Sequence, residues 1–105
     1  MQRMKRPKTA DEYIDLVHQA VYEIDEFRSG LEYEPENAEV FGPFIEQLDA
    51  QVRQVYDDMV AGHYQWGFGE DLPYMTLVVR YGRFIPFQRL LLLINDTHKE
   101  GLDVD

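Results

Sequence analysis

Two long segments repeat their apolar side chains at the spacing of an α-helix, and this pattern restricts the fold more than any other feature of the sequence. In residues 9–30 one side of the helical wheel is apolar and the opposite side is acidic. In residues 38–61 the apolar positions recur at alternating steps of four and three, which is typical of a helix packed antiparallel against another. The apolar positions are Tyr13, Ile14, Leu16, Val17, Ala20, Val21, Ile24 and Phe27 in the first segment, and Phe41, Ile45, Leu48, Val52, Val55 and Met59 in the second.

Local sequence signals mark the ends of these two helices. Thr9 followed by Glu12 forms a capping-box pattern, which predicts that a helix begins there. Gly30 supplies a stop because glycine tolerates the left-handed conformation of a helix end. Pro43 suits the first turn of a helix, so we expect an interruption beside it, and Gly62 is expected to cap the second helix.

The C-terminal part of the chain allows two interpretations. Residues 74–81 are rich in β-forming side chains, and the glycine that follows them suits the turn of a hairpin over 74–87. A lone two-stranded hairpin is marginally stable, so we favour a helix over 73–82 and a last helix over 86–100. The predicted fold class is all-α, a compact antiparallel bundle of three to four helices, and the alternative is an α+β fold with the hairpin.

Length predicts one domain with two short flanks. A chain of 105 residues is the size of a single folding unit. We expect a basic flexible leader over 1–8, one helical domain over 9–101 and an acidic tail over 102–105. Cysteine is absent, which excludes disulfide bonds and thiolate zinc sites. The sequence carries no export signal and no apolar run long enough to cross a bilayer, which predicts a cytoplasmic location.

The charge of the chain limits its partners. The formal net charge is −10, and residues 9–71 contain sixteen acidic side chains against Arg28 and Arg53. Such a surface repels nucleic acid and anionic membranes, so neither is expected to bind. A basic protein surface is the partner that this charge favours.

Aromatic residues gather in the loop that follows the second helix. Trp66 and Phe68 lie there beside glycines, and aromatic side chains on loops are typical anchors in protein interfaces. Tyr22 and Leu92 are each predicted to point away from the apolar side of their own helix, which favours docking or a homo-oligomer. The predicted partner-binding residues are therefore Tyr22, Trp66, Phe68 and Leu92.

A pair of carboxylate motifs gives an alternative function. Glu23 and Glu26 lie three residues apart in the first helix, and Glu46 and Asp49 repeat this spacing in the second. Two such motifs facing each other could hold Mg²⁺ through oxygen ligands. The four acids resemble the paired motif of the all-α nucleotide pyrophosphohydrolases related to MazG, and this resemblance implies a Mg²⁺-dependent enzyme that uses them as metal ligands.

The residues favour an interaction module over an enzyme. Asp49 is expected to pair with Arg53 one helical turn later, and His98 is expected to be a cation satisfied by carbonyl groups at the end of the last helix. No serine or cysteine nucleophile has a suitable sequence context, so no catalytic residue and no cofactor are predicted. The favoured function is a small acidic adaptor, inhibitor or regulator that docks a basic protein through its acidic helices and its aromatic loop.

Overall fold

The order of the elements matches an all-α bundle. The structure is a computed structural model that describes residues 5–104, and all regular structure within them is helical. The elements are α1 (Ala10–Glu32), α2 (Pro35–Ala61), α3 (Met75–Tyr81), a 3-10 turn (Gly82–Phe84) and α4 (Gln88–Glu100). The predicted fold class is confirmed.

The hairpin considered for residues 74–87 is wrong, and the burial pattern gives the reason. Tyr74, Leu77 and Val78 are buried together, at the spacing of one face of a helix. A strand would place Thr76 on the same face as Tyr74, whereas Thr76 is exposed in the structure. The β-forming side chains are thus part of a short helix whose inner face packs against the core.

Helices α1 and α2 form a long antiparallel hairpin. Cross-helix pairs such as Asp25 with Arg53 and Arg28 with Asp49 show that residue numbers fall along α2 as they rise along α1. The Thr9 hydroxyl accepts a hydrogen bond from the Glu12 amide at 3.1 Å, so the predicted cap at the start of α1 is confirmed. The buried residues of both helices meet in one hydrophobic core.

The turn between these helices differs from the predicted one. Helix α1 continues past Gly30 to Glu32, and α2 begins at Pro35 instead of residue 38. Pro43 lies inside α2 and does not open it. Pro35 already occupies the first turn, where no amide is needed, and Pro43 removes only one backbone hydrogen bond within a helix that is held by the burial of Phe44.

Aromatic rings connect α2 to the C-terminal elements at the end where α1 turns into α2. Phe44 stacks on Tyr81 with ring centroids 4.5 Å apart, and Phe41 lies 5.3 Å from Phe84. Phe27 of α1 meets Phe87, the residue that precedes α4, edge to face. We call this group the turn-end cluster, and it consists of Phe27, Phe41, Phe44, Tyr81, Phe84 and Phe87.

The described parts of both flanks lie against each other. The Asp103 amide donates to the Pro7 carbonyl at 2.8 Å, and the Arg6 guanidinium donates to the Gly101 carbonyl at 2.9 Å. The division into leader, domain and tail stays a prediction, and residues 1–4 and 105 lie outside the described part. No helix within residues 5–104 combines the length and the apolar content that crossing a bilayer requires.

Candidate functional site

The end of the bundle opposite the turn-end cluster is closed by the aromatic loop, residues 62–74 between α2 and α3. Trp66 stacks on Tyr13 of α1 with ring centroids 5.3 Å apart. Tyr64 meets both of these rings edge to face. Trp66 is half-buried by these contacts, so this predicted anchor also packs against the end of the core.

A row of hydrogen bonds runs beneath this loop. The Tyr13 hydroxyl lies 3.2 Å from the Ile94 carbonyl and 2.8 Å from the Tyr64 hydroxyl. The Tyr64 hydroxyl in turn bonds to Nδ1 of His98. His98 is buried and its Nδ1 bonds to the Tyr64 hydroxyl, so the expectation of a cation satisfied by carbonyl groups at the end of α4 is wrong, because the aromatic loop covers this part of the helix.

The groups in this row are held in their neutral forms. Burial lowers the pKa of His98, and the nearby charges of Asp71 and Glu70 only partly oppose that effect. Burial also raises the pKa of Tyr64 to about 12 and that of Tyr13 beyond its ordinary range. The row therefore joins neutral donors and acceptors near neutral pH.

The tip of the loop is fixed by its backbone. The Gly67 amide donates to the His98 carbonyl at 2.9 Å, and the Gly69 amide donates to the Lys99 carbonyl at 3.0 Å. A Cβ at Gly67 would lie 2.5 Å from the His98 ring, so only glycine fits there without a shift. Between these two glycines Phe68 adopts a φ of +49° and leaves 89% of its surface exposed.

Asn95 anchors the other end of the loop. Its Oδ1 accepts from the Leu72 amide at 2.7 Å, and its Nδ2 donates to Asp71 at 2.9 Å. The hydrogen bond from Asn95 is the main cause of a lowered pKa at Asp71. The Asp71 carboxylate also lies 3.4 Å from the Lys99 ammonium. Asn95 is buried on the apolar face of α4, and a polar residue among apolar positions is the sequence signal that could have revealed it.

The four predicted partner-binding residues do not form one surface. Phe68 and Trp66 line the same groove of about 350 Å³, with residues 98–102 and Val104 as its other wall. Tyr22 is exposed on α1, where the charge of Glu26 and then a hydrogen bond to the same carboxylate raise the pKa of its hydroxyl. Leu92 packs against the core and is only partly exposed. Neighbouring elements therefore cover more sides of α4 than the single apolar face that the sequence predicts.

A second cavity lies on the α2 side of the loop. It has a volume of about 270 Å³, and its lining includes Asp58, His63, Tyr64 and Gln51. Within residues 5–104 the Oε1 atom of Gln51 is buried without a hydrogen-bond partner. The cavity walls are mainly neutral, and Asp58 contributes the carboxylate.

Cations occupy the place that the metal hypothesis assigns to Mg²⁺. The Arg28 guanidinium bonds to Asp49 and Glu46 at 2.9 Å each, and Arg53 bonds to Asp49 at 2.8 Å. The pairing of Asp49 with Arg53 is confirmed. Hydrogen bonding to Asp49 raises the pKa of Arg28 further.

Asp25 completes this arrangement, and the sequence motif did not single it out. Arg28 and Arg53 each bond to Asp25, at 3.1 Å and 2.8 Å, so that these two cations alternate with Asp25 and Asp49 in a closed ring. Glu23 instead accepts from the Gln19 amide group on the surface of α1. We call this four-membered arrangement the ion-pair ring.

The described acids do not assemble a metal centre. No group of three or more acidic or histidine side chains in the part of the chain that the structure describes is placed to hold a metal ion. Glu23 and Glu26 are not joined to Glu46 and Asp49 by the ion-pair ring, which uses Asp25 of the first motif. The geometry thus gives Glu46 and Asp49, together with Asp25, a structural role across the α1–α2 hairpin.

Comparison with known proteins adds no relative. No protein-family model, no curated protein and no solved structure matches the chain. The functional assignment therefore rests on the geometry of the residues described above.

Proposed function

We propose that this protein is a small acidic interaction module, which docks a basic protein surface with the aromatic loop as its anchor. It acts as an adaptor, an inhibitor or a regulator of that partner. Self-association and a cytoplasmic location also stay predictions.

The exposed side chain of Phe68 carries the proposal. A left-handed φ costs a residue with a side chain about 1–2 kcal/mol relative to the right-handed form. This ring recovers little by burial, because 89% of its surface faces solvent. The backbone bonds of Gly67 and Gly69 fix the loop backbone on both sides of Phe68, so little of the backbone has to be ordered when a partner binds.

The charges around the loop favour a basic partner. The contact between Tyr13 and Trp66 places the loop beside the first turn of α1, which carries the exposed Asp11. Helix α2 ends in the same region with Asp57 and Asp58, and no basic residue lies in its last turn. The C-terminal ends of α2 and α4 bring the negative ends of two helix dipoles to this region, against the positive end of α1. The acidic side chains here also outnumber the basic ones, which are Lys5, Arg6, Lys8 and Lys99, so this end of the molecule attracts cations.

The proposal is tested by capture of partners from a lysate with three immobilised proteins. These are the wild type, Phe68→Ala and Tyr33→Ala, and the last removes an equally exposed aromatic side chain at the opposite end of the hairpin. We expect the wild type and Tyr33→Ala to capture the same basic proteins and Phe68→Ala to lose them. Rising salt is expected to release the captured proteins, because the attraction between the two surfaces is electrostatic.

Two results would count against this function. If Phe68→Ala captures the same proteins as the wild type, the loop is not the anchor. If the captured proteins are acidic, or if salt does not release them, the charge of the helices does not select the partner.

A further inference from the structure

A groove of about 340 Å³ opens at the end of the bundle where α1 turns into α2. Three rings of the turn-end cluster line it, and they come from three different elements: Phe27 from α1, Phe41 from α2 and Phe84 from the 3-10 turn. Phe27 and Phe41 are partly exposed, and Phe84 is 44% exposed. The groove volume lies at the lower end of the range for small-molecule sites, which is about 300–1,000 Å³.

Glu34 brings a negative charge to the same groove. It is exposed in the turn between α1 and α2, and it lines the groove together with Asn37, whose Nδ2 donates to the Glu34 carboxylate. Residues 29–41 contain four glutamates and neither lysine nor arginine. The groove thus combines aromatic rings with a local excess of negative charge, which attracts cations.

Aromatic rings are also a suitable surface for a cation. The face of a ring attracts positive charge because its π electrons make that face negative. Phe84 already shows this attraction, since the Arg83 guanidinium lies 5.0 Å from its ring centroid. Both of these side chains are exposed, so their contact is weak and a ligand cation can replace the arginine.

The polar side chains of the groove favour a cation that donates no hydrogen bonds. A bare ammonium group is strongly hydrated and needs acceptors for three N–H donors. Glu34 and Asn37 bond to each other, so part of their hydrogen-bonding capacity is already used. A trimethylammonium group has no N–H and presents methyl groups to the rings, so it enters the groove with little loss of hydration.

Other classes of ligand match only part of this groove. An anion would meet the Glu34 carboxylate, and like charges repel. A neutral apolar group would contact the three rings but gain nothing from the carboxylate. The combination of rings and negative charge therefore selects an alkylated cation.

We propose that this groove binds a trimethylammonium group. The three rings contact its methyl groups, and Glu34 balances its charge. The groove lies at the other end of the bundle from the aromatic loop, so this site goes beyond the proposed docking function and does not depend on it.

The test is a titration of the isotope-labelled protein with choline at constant ionic strength, followed by amide chemical shifts in NMR spectra. The matched probe is the neutral carbon analogue of choline, in which a tert-butyl group replaces the trimethylammonium group. We expect choline to bind about tenfold more tightly than this analogue, because only choline carries the charge. The shifts should fall on residues 27–41 and 82–84 and be absent from the aromatic loop.

The role of the carboxylate is tested with two variants that change the net charge equally. Glu34→Gln should weaken choline binding about threefold and leave the binding of the neutral analogue unchanged. Glu32→Gln is the matched control, because Glu32 is exposed at the end of α1 and does not line the groove. This control should keep the wild-type dissociation constant for choline.

The role of the rings is tested with Phe84→Leu, which keeps an apolar side chain but removes the aromatic face. We expect it to weaken choline binding about fivefold. Phe68→Leu changes an exposed phenylalanine at the opposite end of the bundle and should have no effect. Circular dichroism of all variants should match the wild type, which shows that loss of binding is not loss of the fold.

Arg83 provides a further check on the sign of the ligand charge. Arg83→Gln removes the cation that competes for the Phe84 ring, so choline should bind about twofold more tightly to this variant. An anionic ligand would show the opposite change, because it would lose an attractive charge.

Two sources carry a trimethylammonium group: a small quaternary amine and a trimethylated lysine of a protein. A short peptide with one trimethyllysine is therefore titrated beside choline, and the same peptide with unmodified lysine is its control. We expect the trimethylated peptide to bind in the groove and the unmodified peptide to bind more weakly. The tighter of the two trimethylammonium ligands identifies the source.

Several results would overturn the proposal. One is equal binding of choline and its neutral analogue, which would make the groove a purely apolar site. Another is a set of shifts that falls on the aromatic loop, or no shifts at all. Choline binding that Glu34→Gln and Phe84→Leu leave unchanged, or that Arg83→Gln weakens, would contradict the assigned contacts.

Discussion

Gly67 is a position where an added methyl group would meet closely packed atoms. A Cβ there would lie 2.5 Å from the His98 ring and from the Glu70 carbonyl. Gly67→Ala is therefore expected to lower the free energy of unfolding by about 1–3 kcal/mol, because His98 is buried and cannot move aside freely. Urea unfolding followed by circular dichroism measures this change.

The matched control for this substitution is Gly30→Ala. Gly30 lies within α1, and nothing lies within 4 Å of a Cβ built there. Alanine should stabilise the helix by about 0.5–1 kcal/mol, because it loses less backbone entropy than glycine. Equal effects of the two substitutions would show that the close packing of Gly67 against His98 is absent.

His98 makes the stability depend on pH. The unfolded chain protonates this histidine near its ordinary pKa of about 6.5, whereas burial lowers the pKa in the folded protein. The unfolded state therefore binds the proton first as the pH falls. The stability is complete above about pH 6.5 and decreases below it, by at most about 1.4 kcal/mol per pH unit.

Thermal unfolding between about pH 5 and pH 7 measures this dependence on wild type, His98→Gln and His63→Gln. We expect His98→Gln to flatten the pH dependence in this window, even if the substitution lowers the stability at every pH. His63 is exposed, so His63→Gln should keep the wild-type slope. An unchanged slope in His98→Gln would contradict the assignment.

At the scale of elements, the ion-pair ring fixes α1 against α2. Arg28 contacts three carboxylates and is about one-third exposed, whereas Arg53 contacts two and is more exposed. We expect Arg28→Ala to lower the free energy of unfolding by about 1–2 kcal/mol and Arg53→Ala by less than about 1 kcal/mol. Urea unfolding of both variants measures the difference.

Salt provides the control for this prediction. The cost of Arg28→Ala should shrink in high salt, because screening weakens the attraction in the wild type and the repulsion among Asp25, Glu46 and Asp49 in the variant. A cost that does not change with salt would mean that packing of the arginine side chain dominates.

The sequence predicted these elements well where the pattern is local. The capping box at Thr9, the existence of four helices and the pair of Asp49 with Arg53 all depend on residues a few positions apart. The start of α2 and the continuity through Pro43 depend instead on how Phe44 packs against Tyr81, which no local rule contains. Tertiary packing overrode the turn signals there.

The candidate site was less predictable for the same reason. The sequence marked Phe68 as an anchor by its setting between glycines, but the stack of Trp66 on Tyr13 joins residues more than fifty positions apart. The role of Asp25 could be predicted only from the register of α1 against α2, because that register decides which acid faces Arg53. These contacts follow from the relative position of whole helices.

The ion pairs across the α1–α2 hairpin make a prediction about divalent metal ions for the molecule as a whole. Glu46 and Asp49 already bond to Arg28, so a divalent ion would have to displace a guanidinium group. We expect Mg²⁺ and Mn²⁺ at fixed ionic strength to leave the thermal unfolding midpoint unchanged. Saturable stabilisation that Glu46→Gln removes would contradict this expectation and favour the Mg²⁺-dependent enzyme.

The two ends of the bundle carry different surfaces. The aromatic loop with its acidic surroundings lies where α1 begins and α2 ends, and the turn-end cluster, with Arg80 and Arg83 beside its rings, lies near the turn between these helices. Variants at one end should therefore leave the behaviour of the other end unchanged, since no residue belongs to both.

The stack of Trp66 on Tyr13 gives the molecule a fluorophore at one of these ends. The chain contains a single tryptophan, and its ring lies in the groove wall beside Phe68. Its emission should shift when a protein covers the aromatic loop. A fluorimeter can thus report occupation of this end in the unlabelled protein.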